Sequence, residues 1–173
     1  MSIFQPMLLQ QQTDFQKEKI DPAHDIYRKF FMNTEVQENF RTGNEEHSKG
    51  EFLRQLFGEV LGYKIFPAQN FNLKPEQKNE TDAKKADAAI EVNGAVRAVV
   101  EIKGVKTGNL KSFEDQAFRY KNNHENAAYV ITSNFEKLRF YIGYVGAYKE
   151  WNLFTLAREE FGKLWVGSAS QCC

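Results

Sequence analysis

A chain of 173 residues with 42% hydrophobic residues is long enough for one domain with its own core and too short for two large ones. Its 23 basic and 23 acidic side chains cancel, which excludes a uniformly basic polyanion-binding surface, so any affinity for nucleic acid has to be local. Cys172 and Cys173 are adjacent at the C-terminus and offer neither a core disulfide nor a metal-ligand spacing; with no apolar run of transmembrane length and no secretion signal at the N-terminus, a cytoplasmic protein without a membrane partner is expected.

Asp21 opens a predicted helix through DPAHDIYRKFFMNTEVQENF, with Pro22 in its first turn and Ile26, Phe30 and Phe31 as apolar contacts. A second helix is predicted over TGNEEHSKGEFLRQLFGEVLGY. There Thr42 stands three residues before Glu45 in a capping-box spacing, Leu53, Leu56, Phe57 and Val60 share one face, and Gly62 ends the helix. Residues 63–66 read as a short strand and 67–85 as a polar, turn-rich loop. ADAAIEV and AVRAVVEIK flank Asn93-Gly94, the dipeptide that best favours a tight hairpin turn. Residues 111–122 follow as a helix with Phe113, Gln116, Ala117 and Tyr120 on one face, 127–133 and 138–145 as the last strands, and 155–165 as a closing helix. The expected fold class is α/β, a central mixed β-sheet flanked by helices, with 1–41 as a helical cap, 42–154 as the core, and 155–173 as a helix and tail leading to a further region.

The hairpin also carries the chemistry. Asp87 lies near the start of its first strand, and Glu101 and Lys103 lie at the end of the second, so across an antiparallel pair all three meet at one open end. Glu101 and Lys103 share a face while Ile102 points into the opposite layer. Two carboxylates suit a hard cation such as Mg²⁺, and a lysine beside them suits stabilisation of charge on a phosphate. An E-x-K triplet with an upstream Asp arises by chance in about one ordinary chain in three, and acid–lysine pairs on strands are common as solvated ion pairs. Here, though, the triplet ends AVRAVV, a run typical of a buried central strand, where charge needs a reason.

With ADAAIEVNGAVRAVVEIKG on the page, the chain resembles the PD-(D/E)XK nuclease family, closest to the N-terminal nuclease domains of type I and type IIG restriction-modification enzymes. Ala86 stands where many members have proline. The resemblance implies a restriction-endonuclease-like sandwich, Asp87 and Glu101 as metal ligands for Mg²⁺ (with Mn²⁺ able to substitute), and Lys103 assisting hydrolysis. It also implies a Gln-x-x-x-Tyr motif, here Gln116 and Tyr120, lining the site or contacting the DNA backbone; packing against Phe113 is the plainer role for Tyr120. A glutamate from the helix ending Leu61-Gly62-Tyr63 is implied too. Of Glu45, Glu46 and Glu51, the reading favours Glu46, on the stripe with Leu53, Phe57 and Val60, because Glu45 is explained by the capping box and Glu51 lies on the polar face.

Lys84, Lys85, Lys106 and Lys111 bracket the site as candidate phosphate contacts, although scattered lysines are more often solvated surface. His24, His47 and His124 share no metal spacing and read as surface or packed histidines. The expected function is a Mg²⁺-dependent DNA endonuclease domain that works with methyltransferase and target-recognition domains or subunits, since the chain shows no Gly-rich methyl-donor site. The alternatives are a stand-alone repair or recombination nuclease, RecB-like or resolvase-like, and a non-catalytic nuclease-fold DNA-binding module. Neutral charge weighs against the first, and the intact Asp87, Glu101 and Lys103 weigh against the second.

Overall fold

In the computed structural model, which describes residues 6–76 and 85–168, six strands hydrogen-bond in chain order into one open mixed sheet: β1 (Leu73–Pro75), β2 (Ala88–Val92), β3 (Ala95–Ile102), β4 (Tyr129–Ser133), β5 (Lys137–Ile142) and β6 (Tyr148–Asn152). The helices of the described residues are α1 (Pro6–Phe15), α2 (Lys17–Phe31), α3 (Thr34–Thr42), α4 (Glu45–Phe52), α5 (Glu114–Asn122) and α6 (Arg158–Ser168). This is the α/β architecture expected from the sequence. No helix among the described residues is long and apolar enough to cross a membrane.

The hairpin forms as its turn chemistry dictates. Asn93 and Gly94 both take positive φ, 52° and 77°, the backbone of a two-residue turn whose twist matches the flanking strands. Register then runs from Val92↔Ala95 to Ala88↔Val100, with one slip: Glu91 faces Val96 but Ile90 faces Ala98, leaving Arg97 as an extra residue on β3. β3 and β4 run parallel and the other neighbours antiparallel, so the β3–β4 connection has to cross over the sheet. It does so through a 3₁₀ turn (Leu110–Phe113) and α5.

The two faces are covered unequally. One carries Ala88, Ile90, Ala98, Val100, Ile102, Ile131, Phe140 and Trp151 into a large core with Tyr27, Phe31, Phe40, Phe52, Phe57 and Phe161, so the helices before and after the sheet share one interior. The other face packs Ala89, Val96, Val99, Val130 and Tyr141 against Ala117 and Tyr120 of α5. β3 is therefore buried on both sides, and its AVRAVVEI run reads as it does for that reason.

Several expected boundaries move. The helix predicted from Asp21 begins at Lys17, so Pro22 lies inside α2 rather than in its first turn, and Asn33 starts α3 by accepting the amides of Glu35 and Val36. α1 and β6 were not expected; β6 buries Trp151 alone fully, too little alternation to signal an edge strand. The strand expected at 63–66 is a single bridge, Ile65 to Leu73, and the paired strand falls at β1 inside the predicted loop. α4 continues as a π-helical stretch, Leu53–Val60, where Leu61 N–H reaches back five residues to Leu56 O, 2.9 Å. Leu53, Leu56, Phe57 and Val60 are buried as predicted, and Gly62, at φ 79°, ends the helix.

Candidate active site

The site is built at the end of β3, where strand alternation separates three consecutive side chains. Ile102 enters the large core, while Glu101 and Lys103 project towards α5 with Lys103 Nζ 2.9 Å from Glu101 Oε1. Glu101 is only 2% exposed. Asp87 lies one residue before β2, level with Glu101 by the register that pairs Ala88 with Val100. The chain bends there, and the carboxylate turns edge-on to β3. Lys103 N–H is spent on Ser133 O of β4, so the alternate amide, Ile102 N–H, points to the β2 side where the ladder has ended; Asp87 Oδ2 accepts it at 2.7 Å. The Asp87 side chain thus closes the β2–β3 ladder in place of a backbone carbonyl.

Gln116 and Tyr120, one helical turn apart on α5, come to the same place. Gln116 Nε2 donates to Glu101 Oε1 at 2.6 Å and lies 3.1 Å from the Tyr120 hydroxyl. Tyr120 also packs in the α5-side core. Glu101 Oε1 is doubly satisfied, whereas Glu101 Oε2 is buried with no hydrogen-bond partner. Burial, and after it the charge of Asp87, push the Glu101 carboxyl up to about 7 against the pull of Lys103. A buried carboxylate oxygen without a donor is a place for a proton or a cation.

α4 supplies the third side of the site, and here the structure corrects the sequence reading. Asn44, not Thr42, caps α4: Asn44 Oδ1 accepts the amides of Glu46 and His47 at 2.9 and 3.2 Å, while Thr42 Oγ1 donates to Glu38 O within α3. Glu45 is therefore free of capping, and its Oε2 accepts Gly104 N–H at 2.7 Å, tying α4 to the end of β3. Glu46, the expected acid, has a side chain 76% exposed and meets the cluster through Lys49, 3.1 Å away. Glu51 pairs with Arg54 and Gln55 on the outer face.

Lys49, which the sequence reading missed, joins the elements. Its Nζ lies 2.9 Å from Asp87 Oδ1, 3.1 Å from Glu46 Oε1 and 3.3 Å from Glu45 Oε1. Burial alone would lower its proton affinity, but the hydrogen bonds and charges of Asp87 and Glu46 outweigh that and raise it. The signal was its spacing, four and three residues after two acids on one helix.

Of the other named residues, Lys84 lies outside the described residues, as do the two cysteines. Lys85 is exposed and pairs with Glu76 at 3.3 Å, and Lys106 and Lys111 are exposed on the β3–α5 connection. His24 packs between Tyr27 and Phe161, and His124 is buried beyond the end of α5.

Among the described residues no three His, Cys, Asp or Glu side chains form a ready-made metal cage. What is present fits a hard cation that takes two carboxylates and keeps several waters: Asp87 and Glu101, with Glu101 Oε2 still lacking a partner. Four acids, Asp87, Glu101, Glu45 and Glu46, stand against two lysines, Lys49 and Lys103, so the ionised cluster is negative and favours a cation over a bare phosphate. Comparison of the chain with protein-family models, with curated proteins and with solved structures gives no match.

Proposed function

We propose that this chain is a Mg²⁺-dependent DNA endonuclease domain of the PD-(D/E)XK kind, belonging to a cytoplasmic restriction-modification system and acting with methyltransferase and target-recognition domains or subunits. The observation that carries the reading is the buried, partnerless Glu101 Oε2 beside Asp87, with Lys103 on the same face. Asp87 and Glu101 would hold Mg²⁺, or Mn²⁺ in its place. The bound cation supplies Lewis acidity to a phosphodiester and a water of lowered pKa.

The protein's own residues do the rest. Gln116 fixes the Glu101 carboxylate through Oε1 and leaves Oε2 as the free ligand oxygen. Ile102 N–H fixes Asp87 through Oδ2. Lys103, partly exposed where Glu101 is not, can turn its ammonium to the scissile phosphate and offset the charge that grows there. Lys85 and Lys106 are proposed to follow the DNA backbone, and Lys84 joins them from the sequence reading, whereas Tyr120, packed in the α5-side core, accepts from Gln116 and steadies the carboxamide that holds Glu101.

A plasmid-nicking assay on the chain joined to its partner regions tests the proposal. Nicking should require Mg²⁺ or Mn²⁺ and be abolished by Asp87→Ala, Glu101→Ala or Lys103→Ala, with calorimetric cation binding lost in the first two and kept in the third. Wild-type nicking by Glu101→Ala, or no cation uptake by the wild type, would refute it.

A further inference from the structure

We infer that Lys49 is the internal counter-cation of this site, and that a divalent cation has to displace it from Asp87 Oδ1 in order to bind. The inference rests on the metal-dependent reading above and concerns what holds the site before the cation arrives. An ammonium has three donors, and Lys49 Nζ has three carboxylates around it, those of Asp87, Glu46 and Glu45. Its side chain is 12% exposed, so the ammonium sits inside the cluster rather than over it.

The competition follows from which oxygens are committed. Asp87 Oδ2 is taken by Ile102 N–H, which leaves Oδ1 as the oxygen best placed for a cation, and Lys49 occupies it at 2.9 Å. Metal–oxygen distances for Mg²⁺ are about 2.1 Å, so an ion on the same oxygen would lie at most about 5 Å from the ammonium. Two positive charges that close in a partly buried site repel strongly. Glu45 and Glu46, on the same helix as Lys49, remain as acceptors when Asp87 is given up. Lys49 can therefore step aside along α4 without losing all its partners, and the Glu45 to Gly104 hydrogen bond keeps α4 at the end of β3 meanwhile. In the metal-free protein Lys49 holds two helical acids and the β2 acid together, and cation affinity is set by exchange rather than by filling an open cage.

The test is calorimetric titration of the full chain with MgCl₂ or MnCl₂. Lys49→Met should bind the cation about tenfold or more tightly than the wild type, because the competing charge is gone, and Lys49→Arg, which keeps it, should not. Equal or weaker binding by a folded Lys49→Met protein overturns the displacement. If the uncompensated acids prevent that variant from folding, reductive methylation of the wild type, read by mass spectrometry, answers the same question. Lys49 should label slowly in EDTA and several-fold faster at saturating Mg²⁺, and an unchanged rate at saturation overturns the inference. Cation uptake by neither wild type nor Lys49→Met would instead sink the metal-dependent reading itself, and the displacement with it.

Discussion

Replacing Glu101 by Gln should remove a pH dependence of folding that the wild type carries. Burial and the Asp87 charge raise the Glu101 carboxyl from its ordinary 4.5 to about 7, so the folded protein binds this proton more tightly than the unfolded chain does. The stability tied to that proton is fully present below pH 4.5 and is lost as pH rises through 7. At 1.36 kcal/mol per unit, the wild type should lose about 2–3 kcal/mol on this account between pH 5 and pH 8. A glutamine does not titrate. Its oxygen can keep the donors Gln116 and Lys103, and its amide would stand at the partnerless position of Oε2, a penalty of about 1–3 kcal/mol that is the same at every pH. Urea unfolding of both proteins in EDTA, from pH 5 to pH 8, isolates the contribution of this proton, because EDTA removes any cation that would stabilise the ionised form. The difference between the two proteins should move by about 2–3 kcal/mol in favour of the variant as pH rises. A difference constant to within about 0.5 kcal/mol would show that Glu101 is ionised in the fold as freely as in water, and would remove the reason for placing a cation at Oε2.

Thermal unfolding distinguishes the two candidate caps of α4: Asn44→Ala should cost about 1 kcal/mol, whereas Thr42→Ala should cost no more than a few tenths. Asp87→Ala leaves Ile102 N–H and the Lys49 ammonium without their acceptor, so urea unfolding at pH 7 should show a loss of about 2–4 kcal/mol; wild-type stability would mean that the carboxylate does not close the ladder. In the nicking assay, Glu45→Ala should slow Mg²⁺-dependent cutting about tenfold by loosening α4 from Gly104, and Glu46→Ala should slow it much less; the reverse order would return the role to Glu46.

The hairpin was legible because two independent signals agreed on it, a turn dipeptide that needs positive φ twice and an apolar run too continuous for an exposed strand. The convergence of Asp87, Glu101 and Lys103 at its open end followed from counting residues across an antiparallel pair. Gln116 and Tyr120 were named by the family resemblance, and their one-turn spacing added only that they share a helix face. Glu45 was not legible, because one spacing served two explanations: Thr42 and Glu45 fit a capping box, yet Asn44 wins the cap by offering a carboxamide oxygen at the residue where the chain leaves extended geometry. That shift frees Glu45 for Gly104 and leaves Glu46 largely in solvent. Lys49 was hidden for another reason. Its spacing marks it as an ordinary helix ion-pair partner, and only the approach of α4 to the start of β2, a contact 38 residues apart in the chain, places it on Asp87.

The extra residue on β3 links these levels. Side chains alternate along a regular strand, so if Arg97 were an ordinary ladder position Val96 and Ala98, two residues apart, would share a face. In the structure Val96 joins the α5-side core and Ala98 the large core, with Arg97 exposed between them. Beyond the bulge, Val99 packs towards α5, and Glu101 and Lys103 follow it to the side where Gln116 waits. If β3 slipped by one residue beyond the bulge, Ile102 would face α5, and Glu101 would leave Gln116 and enter the large, mostly aromatic core. The buried acid is tolerated because the bulge, the crossover helix and the ladder-closing Asp87 are set in the same register, and that agreement, more than the E-x-K triplet itself, separates this strand end from a solvated ion pair.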